Sequence, residues 1–113
     1  MSELVKLLRK KREIEVKVGN AIFNGTRVSP ENFQRYVGNG VTDAQICRIH
    51  ISGWKGVKGS DIVEGGSKEE IPFDREDFDE VIGEKPEWYS PIVKELCDHA
   101  RKRYEERVES EKK

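Results

Sequence analysis

The feature that most restricts how this chain can fold is a pair of strand-like runs closed by a two-residue loop. Glu13–Val18 (EIEVKV) alternates polar and apolar residues with period two, Gly19-Asn20 follows, and Ala21–Val28 (AIFNGTRV) resumes the extended pattern. Two such runs around a Gly-Asn loop read as a β-hairpin. The loop length fixes the register, with Val18 opposite Ala21, Val16 opposite Phe23 and Ile14 opposite Gly25. Both strands then agree on one apolar face, made of Ile14, Val16, Val18, Ala21 and Phe23, while Glu15, Lys17 and Asn24 take the other. A lone hairpin is marginal in water, so that face requires helices to cover it.

The rest of the chain supplies them. Ser29-Pro30 is an N-cap followed by a proline at the first helical position, with Val28 and Phe33 as a hydrophobic staple. Phe33, Tyr36 and Val37 form a short apolar face, and Gly38-Asn39-Gly40 ends the helix. Thr42-x-x-Gln45 is a capping box flanked by Val41 and Ile46. The stretch after it fits two patterns. Cys47, Ile49 and Ile51 alternate like a strand, whereas Ile46, Cys47, His50, Ile51 and Trp54 form a helical stripe; the start signal favours a helix. His50 then lies on or beside the buried stripe as a hydrogen-bonded core residue. Trp54–Pro72 is glycine-containing and aperiodic, and residues 55–70 read as a mobile, partner-facing loop. Asp74 caps the next helix, where Phe78, Val81 and Ile82 face the core and Glu76, Asp77, Asp79 and Glu80 form a solvated acidic face. Pro86–Tyr89 reads as a helical turn, and Ser90-Pro91 repeats the cap-plus-proline start. Ile92, Val93, Leu96, Cys97, Ala100, Tyr104 and Val108 then make a helical stripe running to about residue 108. Residues 2–12 offer a further short helix, with Leu4, Val5, Leu7 and Leu8 on one side. The expected fold class is α+β, an N-terminal β-hairpin packed against three to four helices with a long C-terminal helix. It forms a single domain over 1–113, with the basic segment 1–12 and the charged tail 109–113 peripheral.

Of the 113 residues, 38% are charged and 35% hydrophobic. No apolar run approaches the ~20 residues of a membrane span, and the N-terminus lacks the apolar region of a signal peptide. The expected location is therefore cytoplasmic, with no membrane partner. Cys47 and Cys97 read as buried thiols in a reducing compartment. With His50 and His99 they give C-x2-H and C-x-H, not the spacing of a structural zinc site. No nucleophile–base set, phosphate cradle or calcium loop is visible, so no enzyme, metal or cofactor is expected. The charge is segregated. Residues 1–60 carry a net +6 and residues 61–113 a net −7. Such a chain could pair head to tail with copies of itself or with a charged partner, or its halves could face each other across one domain. The run Arg9-Lys10-Lys11-Arg12 is a nucleic-acid signal without aromatic interleaving, or simply a solvated stretch.

The order of these segments carries a resemblance. A hairpin (EIEVKVGNAIFNGTRV) is followed by the GWKGV segment at Gly53–Val57, a glycine-containing loop, and IPFD at Ile71–Asp74. A helix and then Pro86-Glu87-Trp88 and Ile92-Val93 follow. Over residues 11–100 this resembles the tail assembly chaperones of long-tailed bacteriophages and prophages. The resemblance implies a non-catalytic role in the cytoplasm of a bacterial host, holding the tape-measure protein soluble among other tail proteins while the tail tube polymerises. It makes Trp54, Lys55, Val57, Trp88 and Tyr89 the expected partner contacts, with Trp54 and Trp88 as ordinary core residues the alternative. It also implies ribosomal slippage near the end of the gene, where Lys112-Lys113 could be encoded by adenines. Two other readings stay open. One is a small phage-encoded nucleic-acid-binding regulator acting through Arg9, Lys10, Lys11 and Arg12, although nucleic acid is not the expected partner. The other is a head–tail connector subunit, which would self-associate into a ring.

Overall fold

The computed structural model describes residues 2–111, with side chains through Arg107. Lys112-Lys113 and the side chains of Val108 and of the 109–113 tail lie outside the described residues. The elements run α1 (Glu3–Arg12), β1 (Glu13–Val18), β2 (Ala21–Thr26), α2 (Pro30–Asn39), α3 (Asp43–His50), β3 (Ile51–Lys55), α4 (Gly59–Ile62), α5 (Arg75–Ile82) and α6 (Pro86–Glu111). The fold is α+β, a three-stranded antiparallel sheet of order β1-β2-β3 with helices on one face.

The hairpin has the register its loop dictates, pairing Val18 with Ala21, Val16 with Phe23 and Ile14 with Gly25. Gly19 takes φ +60° while Asn20 stays negative, the glycine-first turn that suits the twist of a tight hairpin. Val16, Ala21 and Phe23 are buried, and Ile14 and Val18 pack at the edge of the same core.

The sequence reading needs correction at β3. The helix from Thr42 stops at His50, and Ile51–Lys55 is a strand added to the hairpin. Phe23 pairs with Trp54 and Asn24 with Gly53, but Gly25 pairs with Ile51, so Ser52 is an extra residue in the ladder. This bulge puts Ile51 and Trp54, three residues apart, on the same buried face.

The helix starts are built as their residues dictate. The side chains of Ser29, Thr42 and Asp74 accept hydrogen bonds from the N–H groups of Asn32, Gln45 and Asp77. The last helix differs from expectation. It begins at Pro86 rather than Ser90 and carries Pro91 inside it. Trp88 and Tyr89 N–H both bond the Lys85 carbonyl. The carbonyl that Pro91 cannot serve is that of exposed Glu87, where water can take over. Ile92, Val93, Leu96, Cys97 and Ala100 are buried against α2, α3, α5 and β1. Beyond them Tyr104 is 44% exposed and meets the edge of Phe33, 6.0 Å between ring centres.

The segment 55–70 is also more ordered than a mobile loop. Val57 and Gly59 are buried, α4 forms one turn, and Lys58 bridges Glu70. Ser60 N–H bonds the Ser67 carbonyl at 2.8 Å and Ile71 N–H bonds the Val57 carbonyl at 2.8 Å. Gly59 and Gly66 are glycine because the two backbones touch. A Cβ on Gly66 would collide with the Gly59 carbonyl, and one on Gly59 with the Ser67 N–H. No helix among the described residues is long and apolar enough to cross a membrane.

Candidate functional site

The aromatic side chains expected at a partner surface are mostly core. Trp88 is 7% exposed and packs against Phe23 with tilted rings 5.3 Å between centres, Trp54 is 6% exposed, and Val57 is fully buried. Lys55 is exposed on the opposite face of the sheet, and Tyr89 is half-buried on α6. The five residues therefore do not form one surface. Trp54, Trp88 and Val57 build the core instead, as the alternative reading of the two tryptophans had it. A period-based reading could not separate core from interface, because both select large apolar residues.

What the fold does create is a groove beside Trp54. The indole packs edge-on against Phe73 at 5.4 Å and donates its N–H to the Ile71 carbonyl at 2.9 Å. This ties β3 to the chain entering α5 and leaves an open cleft of about 470 Å³ between α4 and α5. Trp54, Ile62, Val63, Ile71 and Val81 make its apolar wall, and Val63 is 62% exposed there. Glu76, Asp77 and Glu80 line the same cleft. None of the three makes an ion pair among the described residues. An apolar trough with unpaired carboxylates on its rim suits an amphipathic helix whose flanks are basic. Of these residues the sequence pointed only to Trp54 as a contact. Val81 reads as core and the acids as a solvated face, because the cleft exists only once the fold brings α4 and α5 to its two sides.

Two neighbours hold the cleft in shape. Arg75 donates to the carbonyls of Ile51 (2.8 Å) and Arg48 (3.0 Å) and to Asp79 (3.0 Å), while lying over Phe78 at 5.2 Å. Lys85 donates to the Asp61 carbonyl at 2.7 Å, pairs with Glu87 at 2.9 Å and sits 4.9 Å over Trp88. They pin α5 to the α3–β3 junction and α4 to the start of α6.

The basic run lies elsewhere. Arg9 and Arg12 of α1, with Arg27, line a separate cleft of about 390 Å³ beside Thr26, Ser29 and His50. Lys10 and Lys11 are exposed on α1 and do not line it. His50 is buried there between Tyr36, 2.8 Å from Nε2, and Thr26, 3.2 Å from Nδ1. Burial lowers its pKa, against an opposing hydrogen bond to Thr26, and burial raises that of Tyr36. With both ring nitrogens engaged, His50 has none left for a substrate. The thiols of Cys47 and Cys97 are buried and free. Desolvation, with Asp43 nearby, pushes Cys47 up to about 12, which leaves it a poor nucleophile. Among the described residues no three His, Cys, Asp or Glu side chains are grouped to hold a metal ion.

No known family, curated protein or solved structure matches the chain.

Proposed function

We propose that this chain is a non-catalytic binding protein of the tail-assembly-chaperone kind, acting in the cytoplasm of a bacterial host. Its groove takes an amphipathic helix of a long helical partner, the tape-measure protein. The observation that carries this reading is the cleft itself, an apolar wall from Trp54 to Val81 open to solvent and edged by three unpaired carboxylates. Helical partners of this kind expose apolar stripes that aggregate when unaccompanied. Covering such a stripe reversibly needs a shallow apolar seat with a charged edge that sets orientation. The order of segments around Gly53–Val57 and Ile71–Asp74 supports the same reading by resemblance.

The test is co-expression with a tape-measure protein. The wild-type chain should carry that partner into the soluble fraction, and a Glu76→Lys/Glu80→Lys double variant should lose at least half of that effect. Both side chains are exposed, so the variant should keep its melting temperature. An insoluble partner in the presence of wild-type chain would overturn the proposal.

A second reading rests on Arg9, Arg12 and Arg27, which share one cleft and make no ion pair among the described residues. Three unpaired guanidinium groups suit phosphate oxygens, as in a small nucleic-acid-binding regulator. Its signature is DNA affinity that falls steeply with added salt and is lost in Arg9→Gln/Arg12→Gln.

A further inference from the structure

Among the described residues neither α1 nor α2 has a buried residue, but α2 packs Phe33 and Tyr36 against the core, and no residue of α1 does so. Its cap is sound, because Ser2 Oγ accepts from Val5 N–H at 3.2 Å. Leu4, Leu7 and Leu8, spaced i, i+3 and i+4, are 67%, 57% and 45% exposed. Arg9, Lys10, Lys11 and Arg12 crowd the last turn. The helix is therefore a short leucine stripe with a basic end, and the cleft between α4 and α5 is an apolar trough with an acidic edge. Each has the chemistry the other lacks.

The two do not meet within one molecule: no residue of α1 lines the cleft, and Arg9 and Arg12 lie instead beside Thr26 and His50. α1 runs into β1 with no linker residue between Arg12 and Glu13, and β1 is one edge of the sheet. The cleft lies beyond β3, the opposite edge. The net +6 of residues 1–60 and −7 of residues 61–113 repeat the same polarity along the chain.

We infer that the occupant of the groove in the absence of another partner is α1 of a second copy. Leu4, Leu7 and Leu8 lie along Val63, Ile62 and Val81, and the basic last turn lies against Glu76, Asp77 and Glu80. The contact is heterologous, a helix on one copy and a groove on the next. Each added copy leaves one free helix and one free groove, so assembly continues into head-to-tail chains or closes into a ring. One short helix covers too little surface for a permanent complex, so the association is reversible and favoured by low salt. The inference rests on the groove reading above and adds a competition, in which a partner helix must displace α1.

The test is sedimentation equilibrium on the whole chain with two variants. Leu7→Asp damages the helix without touching the core, and Glu76→Lys/Glu80→Lys damages the groove edge. At ~50 mM salt the wild-type mass should climb past the dimer as concentration rises, and at ~500 mM salt it should fall toward the monomer. Each variant alone should stay monomeric. An equimolar mixture still holds one intact helix and one intact groove per pair, so it should form a dimer and go no further. Three results would overturn the inference: wild-type protein monomeric at every concentration, a mixture that stays monomeric, or a groove variant that still dimerises through α1 against α1. A monomeric wild type that still solubilises a tape-measure partner sinks only this inference. An assembling wild type that fails to do so sinks only the reading of the partner.

Discussion

Val16, His50 and Arg75 each show a different way in which one side chain holds this molecule. Val16 is buried opposite Phe23 at the centre of the hairpin, with no polar group placed to receive a charge. Val16→Asp should cost several kcal/mol, on the order of 3–4, seen as a large drop in denaturation midpoint. An unchanged midpoint would contradict the register and the core together. His50 acts through protons. Its folded pKa is lowered by burial, so below its ordinary value of 6.5 the unfolded chain binds a proton that the folded chain refuses. Stability should therefore fall as pH drops from 6.5 toward the folded value. His50→Gln should flatten the stability–pH slope below pH 6.5; a variant as steep as wild type would remove His50 as the cause. Arg75 has a half-exposed side chain, so its ion pair with Asp79 contributes little. Its bonds to the Ile51 and Arg48 carbonyls matter more, because a lysine has one ammonium in place of the planar fork. Arg75→Lys should cost about 1–2 kcal/mol in chemical denaturation. A loss as small as that of an ordinary surface lysine substitution would show that the fork is not used.

Among the elements, the hairpin and the caps were legible because each is decided within a few neighbouring residues. Gly19-Asn20 fixes a register, and Ser29, Thr42 and Asp74 each answer an N–H three residues on. β3 was not legible, and the bulge is the physical reason. Ser52 shifts the phase of the strand, so Ile51 and Trp54 fall at a spacing that imitates a helix turn. The start of α6 was misplaced because Ser90-Pro91 has the composition of a cap, while Lys85 and Pro86 already begin the helix five residues earlier. The segment 55–70 lacks periodicity because, apart from Val57 in the core and Ile62 packed against it, backbone contacts order it. The Ser60 and Ile71 amides, bonded to the Ser67 and Val57 carbonyls, should exchange more slowly than neighbouring free amides. Gly66→Ala should abolish that protection, because the new methyl meets the Gly59 carbonyl. Exchange as fast as in an unfolded peptide in the wild type would contradict the ordered segment. The groove was invisible for the same reason, since its walls come from β3, α4 and α5 and meet only through these contacts.

On the scale of the whole molecule, the charge polarity acquires a place. The basic half carries an uncovered leucine-bearing helix, α1, and the acidic half contributes the edge of the cleft beside Trp54. Under the reading proposed above, one surface would serve two occupants, α1 of another copy and the helix of a partner, and salt would weaken both. The central claim is that this cleft is the docking surface. The most direct test is an NMR titration of isotope-labelled protein with a synthetic helical peptide carrying leucines at i, i+3, i+4 and i+7 and lysines at its flanks. The account predicts saturable shifts centred on Val63, Glu80, Val81 and the Trp54 indole N–H, weakened by salt and lost in Glu76→Lys/Glu80→Lys. Shifts centred instead on the Arg9–Arg27 cleft, or no saturable shift at all, would contradict it.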